Sequence, residues 1–429
     1  MSKMKISLSN QMYNRKNADF CDHNLYYSFT MKYLISFLLL LSVTLFSCSS
    51  SYSTEMAQIN EKADKQAITD STIVFDIKSI TVDTMLVSNL IENIHYIKLK
   101  EPDDYKLGGI LYKFMVVDSL IYISDYDGNL LCFTLDGEFH HNATFKGHGH
   151  GEVSRMADFF VDENYLYLLD YGQSAILKYD HRGKFLSQSK LPFRATHFAL
   201  LHDKFLFRLA PFSLNNDSQQ WQLAVTDQEF NVLYNYYEYL EEDRPSSRMP
   251  YFRGEYFAPV NLRSIYKFQD DCSLSSMAYY LNFDCPYYDS GRLPKSDFYK
   301  ELAENQIYYT TACPFTADNY ILQYFFSAPK AEGLFVCNTE NNKAIFVKTF
   351  LEDTHRSIGF DFFSVKYYDA KSGLFFANSR SLNKAYCDKE TIASAESYLD
   401  KDVQPFLIRE DGEDDSPLIM CFSLKKDIL

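Results

Sequence analysis

Val117-Asp-Ser-Leu-Ile-Tyr-Ile-Ser-Asp-Tyr126 leads into Asp127-Gly-Asn129 and then Leu135-Asp-Gly-Glu-Phe139. Val161-Asp-Glu-Asn-Tyr-Leu-Tyr-Leu-Leu-Asp-Tyr171 and His181-Arg-Gly-Lys-Phe185 restate that pattern 44 to 46 residues later. A repeat of this length, built from short strands and turns, is the sequence signature of a β-propeller blade. It decides the architecture of most of the chain. It leaves the chemistry open, because propellers carry many unrelated functions.

Composition agrees with that reading. The 34 Tyr and 36 Phe bring the aromatic share to 17%, which suits pleated, half-buried strands, so the chain reads as all-β. At 429 residues it has room for one large repeat fold or two to three average domains. The formal charge of −15 argues against a nucleic-acid partner, since it repels phosphate backbones. Beyond residue 48 the cysteines are Cys132, Cys272, Cys285, Cys313, Cys337, Cys387 and Cys421, with no CxxC pair among them. That spacing argues against a zinc ribbon, a redox motif or a dense disulfide scaffold. Cys132, Cys337 and Cys421 lie in apolar runs and read as small buried hydrophobes. Cys272 and Cys285 are candidates for a bridge.

The N-terminus carries an address. Met31-Lys32, an apolar run from Tyr33 to Phe46 and Ser47-Cys48 describe a secretory signal over residues 31–47. The apolar stretch is short for a membrane span. Leu45-Phe46-Ser47-Cys48 resembles a bacterial lipobox, with Phe46 where a small residue is usual. An ordinary signal peptide beside a chance cysteine is the other reading. The expectation is lipid on Cys48, which anchors a protein without a spanning helix. Residues 1–30 precede a complete signal, so translation is expected to start at Met31, making 1–30 a non-native extension. Residues 48–72 are polar and aperiodic and read as a flexible tether.

Residues 73–429 then form the propeller. Blade one is expected over about 112–146 and blade two over about 157–191, with hairpin turns at Asp127-Gly-Asn129, Asp136-Gly137 and Arg182-Gly183. In a looser third copy Asp203 answers Asp162 and Asp227 answers Asp180, the excess falling in the polar loop 211–220. Blade four shows strand-like runs at 264–268 and 278–283, and blade five at 320–326, 333–337 and 344–350. Blade six shows runs at 362–368 and 373–377, is interrupted by the polar segment 380–416, and ends with 417–424. Short helices are expected at 294–306 and 391–399. An open ring would expose two sheet edges, so strands from both termini are expected to close it, with 94–99 or 73–78 joining blade six.

At this point the chain resembles the six-bladed β-propeller lipoproteins of Bacteroidetes, related to NHL-repeat propellers. The matching elements are the lipobox, Ile94-His-Tyr-Ile-Lys-Leu99 and Ile121-Tyr-Ile-Ser-Asp125. Further matches are the Gly-rich loop Lys146-Gly-His-Gly-His-Gly-Glu152, Tyr179-Asp-His-Arg-Gly-Lys-Phe185, Tyr279-Tyr-Leu-Asn-Phe283 with Leu293-Pro294, and the closing strand. Together they span roughly residues 75–425. His150 stands where that family has Pro, and blades three and four lack most turn glycines. The resemblance implies a six-bladed ring at the cell envelope, lipid-anchored at the outer membrane, and implies little about mechanism.

Several residues are candidates for chemistry. His148, His150 and Glu152, with His140 and His141 nearby, offer good ligands for a divalent metal, the one cofactor the sequence brings into view. The same stretch also reads as an inter-blade turn with surface histidines, which is where the resemblance puts it. Asp125 to Asp136 departs from a calcium loop, with Leu130 where that loop needs Gly, and reads as a hairpin. Gly147, Gly149 and Gly151 follow a hairpin and open no helix, so they are no dinucleotide fingerprint. Arg155, Arg194, Arg208 and Arg253 lie near strand ends or loops, where propellers bind ligands beside the central channel and where an Arg grips carboxylates or sugar acids. Solvated loop charge is the alternative. No motif names a nucleophile.

The preferred reading is a non-enzymatic binding or scaffold module for a glycan, peptide or protein partner, anchored to the membrane through Cys48. The alternative is an NHL-type propeller lyase or hydrolase with a metal in the central channel. A purely structural envelope subunit is the third.

Overall fold

The computed structural model describes residues 68–108, 111–143, 146–210, 221–238, 255–258, 264–283, 314–327, 331–360, 362–379, 381–410 and 416–429. Six sheets of four or five strands follow one another along the chain, the arrangement of a six-bladed β-propeller. Blade one consists of Leu111–Val117, Leu120–Asp125, Leu130–Thr134 and Phe139–Asn142. Blade two consists of Met156–Val161, Tyr165–Asp170, Ala175–Asp180 and Phe185–Lys190. Blade three consists of Ala195–Leu201, Lys204–Leu209, Trp221–Thr226 and Val232–Glu238. In each, successive strands pair antiparallel and in order.

The other three blades borrow strands from the N-terminal segment. Blade four takes Ile73–Asp76, parallel to Leu274–Asn282. Blade five takes Thr81–Val82, parallel to Ala344–Val347. Blade six takes Ile91–Lys98, antiparallel to the C-terminal strand Leu418–Leu424. The expected closure by strands from both termini is therefore made by residues 91–98. Residues 73–76 go instead to blade four, which among the described residues has three strands of its own and an edge that this strand covers. Beside the closure, Lys100 N donates to Gly137 O at 2.8 Å and the Lys100 side chain pairs with Glu138. Gly137 has φ +82, and a Cβ there would meet Lys98 O at 2.2 Å, so only glycine permits this latch.

The core lies between blades. Each of the larger buried clusters draws on neighbouring sheets, one and two, two and three, four and five, five and six, and six and one. Because both faces of a blade are covered, its inner strands are continuous apolar runs. All but the first residue of Tyr165–Asp170 are buried, and the same holds for Leu120–Asp125. The aromatic excess fills these seams, as in the stacked Phe198–Phe207 and Phe375–Phe422 pairs.

Within blade six the polar segment carries a helix at Lys389–Tyr398, starting two residues earlier than the sequence predicts. The cause is Asp388, whose carboxylate accepts Thr391 N at 2.8 Å and caps the helix there. Cys272 is a buried free thiol, so it forms no bridge. Its expected partner Cys285, along with Cys313 and the helix expected at 294–306, lies outside the described residues.

Candidate ligand-binding face

In an antiparallel blade the start of the first strand and the end of the second lie at the same end of the sheet, and so on one face of the ring. Arg155 precedes the first strand of blade two, Arg194 precedes that of blade three, and Tyr171 follows Asp170 at the end of a second strand. All three meet. The Arg155 guanidinium carbon lies 5.1 Å from the Tyr171 ring centroid and that of Arg194 lies 5.7 Å away. Both arginines are exposed, and neither guanidinium has a carboxylate partner among the described residues.

Asp170 builds this corner. It is fully buried. Its Oδ1 accepts Ser154 Oγ at 2.7 Å, Gly172 N at 2.8 Å, Gln173 N at 3.1 Å and Arg155 N at 3.3 Å. Its Oδ2 accepts Ser154 N at 2.7 Å and Gln173 Nε2 at 2.9 Å. Burial alone would raise the carboxyl, but the hydrogen bonds from Ser154, Gln173 and Arg155 overcome it and hold Asp170 below the ordinary carboxylate value. Tyr171 N then donates to Arg155 O at 2.9 Å, which fixes the ring beside the arginine. Asp125 repeats the device in blade one, accepting Gly108 N, Asn129 N and Asn129 Nδ2 at 2.6 to 2.8 Å.

Deeper in, Arg208 lies one residue from the end of the second strand of blade three, and it is no solvated surface charge. It is 0% exposed, and Nε, Nη1 and Nη2 all lack a hydrogen-bond partner among the described residues. Its guanidinium carbon sits 5.7 Å from the Phe257 ring centroid. Across the strand pair from Arg208 is His197, whose Nε2 hydrogen-bonds Tyr112 OH at 3.0 Å. Tyr112 belongs to blade one and His197 to blade three, so this contact crosses the inner rim past blade two. The same rim holds the Lys113–Asp158 ion pair at 2.9 Å, with Asp158 also accepting Phe198 N at 2.9 Å. These links join the first strands of three blades.

The histidine-rich loop does not gather into a ligand set. Glu152 Oε2 accepts Gly149 N at 2.8 Å, and His150 packs edge-on against Phe185 at 4.7 Å. His148 is exposed. Among the described residues, three metal-ligating groups converge elsewhere: Cys132, His140 and His141 have donor atoms within 4.8 Å of one another. A shallow groove of about 300 Å³ on blade one is lined by Tyr105, Lys106, Asn129, Asn142 and Lys146 among others. Arg253 and Cys48 lie outside the described residues.

Fold and site together define a propeller with a positively charged patch on one face of an acidic chain. Residues 63–368 match the DUF5128 family, described as a 6-bladed beta-propeller, and the chain belongs to that family. Among solved structures, a Bacteroides fragilis NCTC 9343 protein described as exported is similar, with a TM-score of 0.60, 16% identity, and 81% of this chain and 99% of that one covered. A member of the DUF4221 family from Bacteroides vulgatus ATCC 8482 aligns with a TM-score of 0.43 and 11% identity over 78% of this chain and 98% of that one. A streptogramin B lyase structure aligns with a TM-score of 0.36 and 10% identity over 78% and 98%, too distant to bear on chemistry. No curated protein sequence matches.

Proposed function

We propose that this propeller is a lipid-anchored binding module of the bacterial cell envelope, non-enzymatic, which recognises a carboxylate-bearing ligand on the face where Arg155 and Arg194 flank Tyr171. An acidic glycan uses this chemistry best. A guanidinium takes a carboxylate in two parallel hydrogen bonds, and an aromatic ring offers a sugar a flat apolar surface. An acidic peptide or protein segment uses the guanidinium pair alone. The anchor is the lipid expected on Cys48, with the outer membrane as its site, and the 48–72 tether gives the ring reach.

The observation that carries this reading is the guanidinium pair without a carboxylate partner among the described residues, in a chain of net charge −15. Two like charges held on one ring repel each other, and an anion relieves that repulsion. Arg208 adds a buried guanidinium without a hydrogen-bond partner among the described residues, near the same end of blade three. The alternative of a lyase or hydrolase with a metal in the central channel is less favoured, because His148, His150 and Glu152 share no centre and the converging Cys132–His140–His141 set lies on the third and fourth strands of blade one.

The test is equilibrium binding of the full-length protein to a panel of acidic and neutral glycans and acidic peptides. The expected result is an acidic glycan retained by the wild type and weakened at least tenfold, about 1.4 kcal/mol, by Arg155→Ala combined with Arg194→Ala. Equal retention by the double variant, or a preference for neutral ligands, overturns the reading. Lipidation is tested separately, by metabolic labelling with a fatty acid that Cys48→Ala should abolish.

A further inference from the structure

We propose that Cys132, His140 and His141 form a zinc site between the outer strands of blade one and the facing sheet of blade two, with a water-accessible fourth position. Nothing in the binding-face reading depends on it, and it draws no ligand from the histidine-rich loop.

The first observation is convergence. The three donor atoms lie within 4.8 Å of one another. Tetrahedral zinc with Zn–N of about 2.0–2.1 Å and Zn–S of about 2.3 Å needs donors roughly 3.3 to 3.6 Å apart. Side-chain rotations of an ångström or so bring the set to that geometry. His140 Nδ1 and His141 Nδ1 already meet at 2.7 Å, with ring centroids 5.0 Å apart.

The second observation is the backbone that produces this meeting. Consecutive residues of a regular strand point to opposite faces. Here Cys132 pairs with His141 and Phe133 pairs with Phe139, so His140 is an extra residue in a β-bulge. The bulge re-aims one side chain and turns both imidazoles toward Cys132. Cys132 and His141, directly opposite across the ladder, share a sheet face.

The third observation is the residue that stands beside two of the ligands. Tyr122 is fully buried, lies opposite Cys132 on the next strand, and its hydroxyl has no hydrogen-bond partner from nitrogen or oxygen. The hydroxyl instead meets the Cys132 sulfur, a weak acceptor that satisfies a buried O–H poorly. Beside a thiolate it becomes a donor to sulfur, the outer-shell contact that metal ligands ordinarily carry. The Tyr122 ring also stands edge-on to His141 at 6.0 Å. Burial grades outward from Cys132, buried, through His141, half-buried, to His140, exposed, which leaves an entry path and room for a water ligand.

One thiolate with two imidazoles suits a borderline-soft d¹⁰ ion and excludes magnesium and calcium, which take oxygen. On binding, the Cys132 thiol gives up its proton to solvent as the Zn–S bond forms.

The experiment uses full-length protein without a polyhistidine tag, stripped with a chelator and titrated with Zn²⁺ and Co²⁺. The expected result is one Zn²⁺ per chain with a raised Tm, and a thiolate-to-cobalt charge-transfer band in the Co²⁺ form. His140→Ala and His141→Ala should each weaken Zn²⁺ at least tenfold, Cys132→Ser should remove the band, and His148→Ala with His150→Ala should change nothing. His140 is exposed, so His140→Ala keeps the fold and is the decisive variant even if Cys132→Ser fails to fold. Zinc bound equally well by His140→Ala and His141→Ala, a cobalt spectrum without the sulfur band, or no zinc bound at all overturns the proposal.

Discussion

Asp170 in blade two and Arg208 in blade three are both fully buried charges near the ends of their blades' second strands, and the fold treats them in opposite ways. Asp170 accepts hydrogen bonds from Ser154, Arg155, Gly172 and Gln173. Arg208 receives none among the described residues and has only the Phe257 face beside it. The first charge is solvated by the protein and belongs to its stability. The second has no such solvation among the described residues, a cost to stability that a fold accepts where the charge serves another purpose.

The comparison breaks most visibly at Asp170. Asp170→Ala removes one acceptor and leaves several buried donors unsatisfied, so a loss of about 3 kcal/mol or more is expected. Chemical denaturation should show a lower midpoint with an unchanged slope. The Arg155–Tyr171 corner should loosen with it, so ligand binding should fall in the same variant. Asp125→Ala, with fewer donors to strand, should lose less.

Acid acts on the same group more gently, since protonation leaves the carboxyl in place. Asp170 titrates below its unfolded value, so its contribution is present above the unfolded carboxylate pKa, about 3.9, and is lost as pH falls through the folded value. Wild-type stability should therefore decline on acidification below about pH 4, and Asp170→Asn should flatten that part of the profile. A variant profile as steep as the wild type would assign the acid loss to other carboxylates.

How much of this was legible in the sequence depends on distance along the chain. Blades one and two could be read directly because their turn residues, Asp136-Gly137 and Arg182-Gly183, recur beside alternating strands. The N-terminal strands could not be assigned. Ile73–Asp76 and Thr81–Val82 are four and two residues long and pair with partners some 200 or more residues away, and nothing local selects blade four over blade six. Arg155 and Arg194 were visible from their place near strand ends, but Tyr171 between them was not, because its contact with Arg194 crosses from blade two to blade three. Arg208 was legible as a strand-end residue, but its burial was not, because the ring beside it, Phe257, belongs to the neighbouring blade. The Cys132–His140–His141 set carried a faint signal. The turn at Asp136-Gly137 places Cys132 opposite residue 140 or 141, yet only the bulge brings both.

Arg208 sharpens the comparison from the other side. Arg208→Leu removes a buried charge that has no hydrogen-bond partner among the described residues and keeps apolar volume, so stability should rise by about 1–4 kcal/mol. A fall in stability would show that the guanidinium has a partner in the folded protein and would remove it from the list of charges held for a ligand.

The smallest effect on stability, and the sharpest on function, is expected at Arg155 and Arg194. Both are exposed and outside any ion pair among the described residues, so each Ala substitution should change unfolding free energy by no more than about 0.5 kcal/mol. Relief of repulsion between the two guanidiniums gives that change a stabilising sign at low salt, fading as ionic strength rises. Binding of an acidic ligand should fall in the same variants and should weaken in the wild type as salt is added. A destabilised Arg155→Ala protein would mean that the stack on Tyr171 supports the corner, and the patch would then belong with Asp170 as structure. A protein of unchanged stability and lost affinity places it with the residues that the fold holds ready for something outside itself.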